Sequence, residues 1–229
     1  MFIKLKDIQN YVSEITGTTA MVFCGTGAMV IDQQSGGAIT HVGVAITFGL
    51  IVSAMIYALG DVSGAHMNPA VTIAFAAIKL FPTKQVIPYI LSQVMGALIA
   101  SFTLKYLFPQ NKMLGATIPT GSEGQSFILE FILTFILMLT IMQVAKGSKE
   151  KGLFAGLAIG SVVLLEAMFA GPICGASMNP ARSLSPAIAS GHLEHLWLYI
   201  TAPIAGALLG VFTWKFLNLT HSEEAAETA

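Results

Sequence analysis

Charge is what this sequence has least of. Only 10% of its 229 residues are Asp, Glu, Lys or Arg, 55% are hydrophobic, and the mean hydropathy is +0.75. Soluble domains carry roughly 25% charged residues, so a water-soluble surface is excluded and the chain reads as a membrane protein. The net charge is -1 and no basic patch gathers, which leaves no electrostatic footprint for nucleic acid. Cysteine is almost missing as well. Cys24 and Cys174 lie far apart in apolar or Gly-rich surroundings, so no C-x-x-C metal or disulfide framework exists and the redox compartment cannot be read. The N-terminus lacks a short apolar core followed by a small-residue cleavage site, so the first span is expected to stay as an anchor. No enzymatic constellation and no cofactor pattern stands out.

What is present is long apolar runs. A crossing needs about 20 mostly apolar residues, and six runs qualify, at about 11–31, 41–60, 86–108, 127–145, 153–170 and 196–217. Two further stretches, Pro69 to Phe81 and Pro180 to Ser190, are too short to cross and read as half-helices. Polar Gly- and Pro-containing connectors separate these runs, the longest from Pro109 to Gln125.

The connector divides two versions of one unit. "GAHMNPAVT" in the first half answers "GASMNPARS" in the second. Glu14 answers Glu130, and Gly96-Ala97-Leu98 answers Gly206-Ala207-Leu208. The expected organisation is one channel domain over 1–229, with a first repeat at 11–108 holding half-helix 68–81 and a second at 127–217 holding half-helix 179–190, then a cytoplasmic tail at 218–229. An odd number of crossings per repeat inverts the second relative to the first. Lys4, Lys6, Lys79, Lys84, Lys146, Lys149, Lys151 and Lys215 fall on the side of the N-terminus, against Lys105 and Lys112 near the opposite loops. The positive-inside rule then makes both termini cytoplasmic, and the two half-helix N-termini can meet near the bilayer midplane.

Asn is a favoured N-cap and Pro suits the first helical position, so Asn68-Pro69-Ala70 and Asn179-Pro180-Ala181 are helix starts. Non-helical backbone at membrane depth is tolerated only inside protein or along a wet cavity, so two such loops imply a lumen. If each Asn caps with its carbonyl oxygen, its amide is left to donate into that lumen. The positive ends of two helix dipoles converge there and oppose cations and protons, not neutral solutes. The tail "HSEEAAETA" reads as a disordered end. Asn218-Leu219-Thr220 fits a glycosylation pattern only by chance, given its cytoplasmic placement.

The paired motifs, the two glutamates and the six-plus-two layout resemble the aquaporin, or major intrinsic protein, family over about residues 11–217. The resemblance implies an all-α membrane fold with six transmembrane helices and two re-entrant half-helices in an inverted repeat. It further implies passive conduction of water and small neutral solutes through a homotetramer in a plasma or inner membrane, with no cofactor. It places a selectivity filter at Phe48, Ala167, Ala176 and Arg182. Water-selective members carry His at the position of Ala167, so two Ala methyls opposite Phe48 and Arg182 imply a wider, partly apolar opening that could seat a small polyol. Ser183 and Ala187 resemble the water-channel pattern instead. Tyr199, Ile200 and "FAGPICGASMNPARS" resemble the nodulin-26-like intrinsic proteins, which pass glycerol, urea and uncharged metalloid acids.

Arg182 lies at membrane depth, where charge is costly enough to suggest function. It can hydrogen-bond a solute while repelling cations, or it can hold carbonyls of its own loop. By the same resemblance Glu14 and Glu130 brace the re-entrant loops; a proton relay is the rival role, and with it a proton-coupled transporter. Glu166, next to Ala167 where Asn is the ordinary residue, either braces the second loop, the favoured reading, or tunes the filter with pH. His66 is a structural residue or a gate at the cytoplasmic mouth. Cys174, in the second loop, is a candidate site for block by thiol reagents.

Overall fold

The computed structural model describes residues 4–146 and 148–219, all but residues 1–3, 147 and 220–229. The sequence-predicted disordered end and Thr220 of the glycosylation pattern lie outside the described residues. Among those described there are nine helices and no strand: α1 Leu5–Gln34, α2 Thr40–Ser63, α3 Pro69–Ala77, α4 Thr83–Leu107, α5 Glu123–Ala145, α6 Lys149–Leu153, α7 Ala155–Cys174, α8 Pro180–Ser190 and α9 Leu196–Leu217. Six of them, α1, α2, α4, α5, α7 and α9, are long and apolar enough to cross a membrane.

Differences from the sequence-predicted spans have local causes. The apolar run alone places the first span at 11–31, but no breaker follows until Gly36, so α1 continues through Asp7 and Asp32 at its polar ends. Asp32 Oδ1 then accepts from the N–H groups of Ile39 and Thr40 and fixes the entry to α2. The half-helix expected to reach Phe81 stops at Ala77. Lys79 takes a left-handed φ of 63°, with Leu80 N–H bonding to Phe75 O and Lys79 N–H to Ala76 O, the paired bonds of a Schellman stop. The fifth span passes Pro172 and reaches Cys174. Pro172 has no N–H for the Met168 carbonyl one turn back, and His41 Nε2 of α2 donates to that carbonyl instead at 2.9 Å. Gly171 makes room, since a Cβ there would lie 2.7 Å from His41 Cε1. Short α6, within a stretch read as connector, is capped by Ser148 Oγ accepting from Lys151 N–H.

The second half packs as the first does. α1 lies on α2 and α4, and α5 lies on α7 and α9. The halves meet where α2 crosses α7, and each half-helix leans on the other half's last span, α3 on α9 and α8 on α4. Lipid offers no hydrophobic drive to join helices, so spans associate by close approach of small residues. Gly49 and Gly160 sit at the α2–α7 crossing, where a Cβ on either would lie 2.6 or 2.5 Å from the carbonyl oxygen of the other. The repeated Gly-Ala-Leu triplets serve the same purpose: Gly96 abuts the Ile15 carbonyl and Gly206 the Phe131 carbonyl, each one residue past the repeated glutamate. Large apolar side chains such as Leu50, Leu91, Phe102, Leu165, Phe169 and Phe212 are exposed, as spans facing lipid require.

Replacing Gly160 by Ala should destabilise the folded protein by about 1–3 kcal/mol through overpacking. Gly60→Ala, where an added methyl meets open space, should be neutral or stabilising by up to about 1 kcal/mol. Thermal unfolding of both variants in detergent checks the contrast.

Candidate pore

Both re-entrant loops leave a span through a left-handed glycine, Gly64 after α2 and Gly175 after α7. Each then forces two non-glycine residues into the same region: Ala65 and Met67 in the first, Ala176 and Met178 in the second, with φ between 42° and 53°. Such conformations cost on the order of 1–3 kcal/mol each and persist only where the surroundings over-determine them.

The surroundings do so with buried carboxylates. Glu14 Oε1 accepts from the N–H of His66 at 2.9 Å and the hydroxyl of Ser63 at 2.8 Å. Its Oε2 accepts from the N–H of Met67 at 2.7 Å and the amide of Gln93 at 2.8 Å. Glu130 accepts from the N–H groups of Ser177 at 2.7 Å and Met178 at 2.8 Å. Both are fully buried and neither borders the lumen. Glu166 stands apart. It is 7% exposed and neither oxygen has a hydrogen-bond partner, so it holds no loop N–H directly, contrary to the favoured sequence reading.

The two asparagines cap as their position predicts. Asn68 Oδ1 accepts from Ala70 N–H, and Asn179 Oδ1 from Ala181 and Arg182 N–H. Their amides are less free than the sequence suggests. Asn68 Nδ2 donates to the Met178 carbonyl at 2.8 Å, and Asn179 Nδ2 to the Met67 carbonyl at 2.7 Å. Each motif is thereby tied to the opposite loop, and one hydrogen of each amide is left over. For Asn179 the sulfur of Met21 is a weak partner at 3.9 Å.

A cavity of about 290 Å³ runs along both loops. His66, Met67 and Asn68 border it from the first loop, and Ala176, Ser177, Met178, Asn179 and Arg182 from the second; Phe48 on α2 and Ala167 on α7 complete one end. Pro69, Ala70, Pro180 and Ala181 lie behind this wall, fixing the helix starts. Arg182 is 2% exposed. Its Nη1 donates to the Gly115 carbonyl at 2.8 Å, its Nη2 reaches Met29 Sδ at 3.2 Å, and its Cζ lies 5.0 Å from the centre of the Phe48 ring. The carbonyl it holds belongs to the connector between the halves, not to its own loop. Phe48 is seated by Gly25, where a Cβ would overlap the ring. Gly25, Gly115 and Met29 carry no motif, so nothing in the sequence marked them.

At the other end His66 stacks on Phe75 at 5.0 Å and 17°, lies near Phe81 and Tyr89, and bonds Thr72 Oγ1 through Nδ1. This packing holds His66 in place where it borders the cavity. Cys174 is buried, donates to the Ala170 carbonyl, and does not border the cavity, so the expected access for a thiol reagent is absent.

Six apolar spans around a lumen lined by loop backbone, two amides and one guanidinium define a membrane channel. The chain matches the profile of the Major intrinsic protein family over residues 1–214, and it belongs to that family of passive channels for water and small neutral solutes, which are not enzymes. It is 47% identical over 215 residues to Aquaporin NIP1-1 of Oryza sativa subsp. japonica, covering 93% of this chain and 76% of that protein. It is 43% identical over 214 residues to Nodulin-26 of Glycine max, covering 93% and 79%. The fold matches the X-ray structure of the aquaglyceroporin from Plasmodium falciparum with a TM-score of 0.81 at 24% identity, covering 91% of this chain and 95% of that one.

Glu14→Leu strands four donors and Glu130→Leu two. With unsatisfied buried groups costing about 1–3 kcal/mol each, the first substitution should lower the unfolding temperature more than the second. Equal shifts in thermal unfolding would contradict this ranking.

Proposed function

We propose that the pore passes glycerol-sized neutral solutes as well as water, with urea and uncharged metalloid acids as further candidates, and excludes ions and protons. The observation that carries this reading is the pair of methyls, Ala167 and Ala176, bordering the cavity at the end where Phe48 and Arg182 stand. Small side chains leave width, the Phe48 ring offers an apolar wall, and the guanidinium keeps donors beyond those given to Gly115 and Met29. A polyol has a carbon edge and a hydroxyl edge to match. These four residues act as the selectivity filter, and the paired Asn-Pro-Ala motifs as the central constriction.

The loop-bracing role belongs to Glu14 and Glu130, supported by their bonds to loop N–H groups. Burial away from the lumen disfavours the proton-relay reading for both. The chain forms one domain of two repeats, 11–108 and 127–217, consistent with the matched packing of the halves. The lysine distribution supports cytoplasmic termini, in a plasma or inner membrane, and the family supports a homotetramer.

Stopped-flow light scattering on proteoliposomes tests the solute range. Shrinkage in sucrose and re-swelling in glycerol should both be fast relative to empty vesicles; fast shrinkage without re-swelling would mean strict water selectivity and reject the wide-filter reading. Phe48→Trp should slow glycerol more than water, whereas equal slowing would remove Phe48 from discrimination. Arg182→Val should keep solute flux and raise proton leak in a pH-jump assay; an unchanged leak would take proton exclusion away from Arg182.

A further inference from the structure

The seam between α2 and α7 carries polar links as well as the glycine contact, and their order places the filter. Ser53 Oγ on α2 donates to the Gly156 carbonyl at 2.8 Å. The Tyr57 hydroxyl donates to the Leu153 carbonyl at 3.3 Å and accepts from Leu157 N–H at 3.2 Å. Further along, Gly49 meets Gly160 and Leu164, and at the far end His41 Nε2 donates to the Met168 carbonyl at 2.9 Å. The two helices are thus antiparallel, with Tyr57 level with Leu153 and Leu157, Gly49 with Gly160 and Leu164, and His41 with Met168. Phe48 on α2 and Ala167 on α7, which both border the lumen, fall between the glycine contact and the His41 bond.

That last bond differs from the Ser53 link in what it replaces. A helix gives the Gly156 carbonyl a further donor four residues on, but for Met168 that residue is Pro172, which has no N–H. Ser53 adds to a bonded carbonyl, whereas His41 serves one that its own helix leaves bare. A carbonyl can only accept, so His41 carries a proton on Nε2 whether the ring is neutral or charged. The ring is also firmly placed. Asp32 Oδ1 holds the N–H groups of Ile39 and Thr40, and Thr40 takes a left-handed φ of 63°, a strained state kept where the surroundings over-determine it. Gly171 clears the space that the ring fills.

We propose that His41 is a positioning residue for solute discrimination: by supplying the donor that Pro172 lacks, it holds the outer end of α7 against α2 and so sets the gap between Phe48 and Ala167. This rests on the filter reading given above. His41 does not itself border the cavity; it acts through Met168, the neighbour of Ala167. Releasing the bond lets the Met168 turn part from α2, which widens the opening and favours the larger solute over water.

Stopped-flow on proteoliposomes of the full chain tests this, read as the ratio of glycerol to water permeability so that the amount of folded channel cancels. H41L should raise the ratio at least about twofold, the lower bound for one net hydrogen bond. H41Q, whose amide nitrogen reaches as far as the ring Nε2, should keep the wild-type ratio, and H41N, whose amide stands where Nδ1 does, should behave as H41L. P172A returns a helical N–H to the Met168 carbonyl, so H41L should shift the ratio less in that background than alone. An unchanged ratio in H41L, a raised ratio in H41Q, or equal H41L shifts in both backgrounds would each overturn the proposal. Should H41L not fold, H41N against H41Q makes the same comparison. Exclusion of glycerol by the wild type would reject the filter reading; the proposal is then decided by whether H41L admits glycerol, and continued exclusion would overturn it.

Discussion

Backbone at membrane depth must find hydrogen-bond partners within the protein, and the rest of this structure follows from that demand. Two short loops enter the bilayer without helical bonding, where each unsatisfied group costs several kcal/mol. Glu14 and Glu130 take the N–H groups of the second and third residues after each left-handed glycine. With those donors engaged, the loops can keep the strained left-handed turns that bring them along the lumen. The asparagines then tie the ends together, each motif bonding the carbonyl just before the other. A wet channel needs unpaired polar groups on one side only, and this arrangement satisfies the side that faces protein.

The same demand explains the glycines. A buried carboxylate reaches the loops only if its helix runs close to the neighbouring span, and the residues beside Glu14 and Glu130 are where Gly96 and Gly206 let the backbones touch. Packing and polar satisfaction are therefore one device, repeated. The α2–α7 crossing, built on Gly49 and Gly160, joins the two copies.

Much of this was legible because it was written twice. The duplicated motif, the glutamates and the Gly-Ala-Leu triplets disclosed six spans, two half-helices and an inverted repeat, and fixed the start of α8 at Pro180 and of α3 at Pro69. Illegible were features that depend on contact between distant segments. No local pattern announces that Gly115 will offer its carbonyl to Arg182, that Gly25 will seat Phe48, or that His41 will serve the carbonyl orphaned by Pro172. Hydropathy stops short of the helix end wherever polar residues continue the helix, as in α1, because it reports the membrane and not the hydrogen bonding. Glu166 was visible as an oddity, but its lack of partners required the packing of α7 against α5.

Why such a pore should admit neutral solutes and refuse cations turns on a balance of fixed dipoles. Loop carbonyls along the lumen favour positive charge, and a cation could use them. At the centre the N-termini of α3 and α8 meet, each equivalent to roughly half a positive charge. Together they oppose a cation about 4 Å away by about 4 kcal/mol at an effective dielectric constant near 20, roughly a thousandfold in occupancy. Arg182 adds a whole charge at the end bordered by Phe48. A neutral hydroxyl feels neither penalty and can exchange its water bonds for amide, carbonyl and guanidinium partners. On the proposed reading, charge selection is thus set by the repeated helix starts and one arginine, which leaves solute size to the small side chains at Ala167 and Ala176.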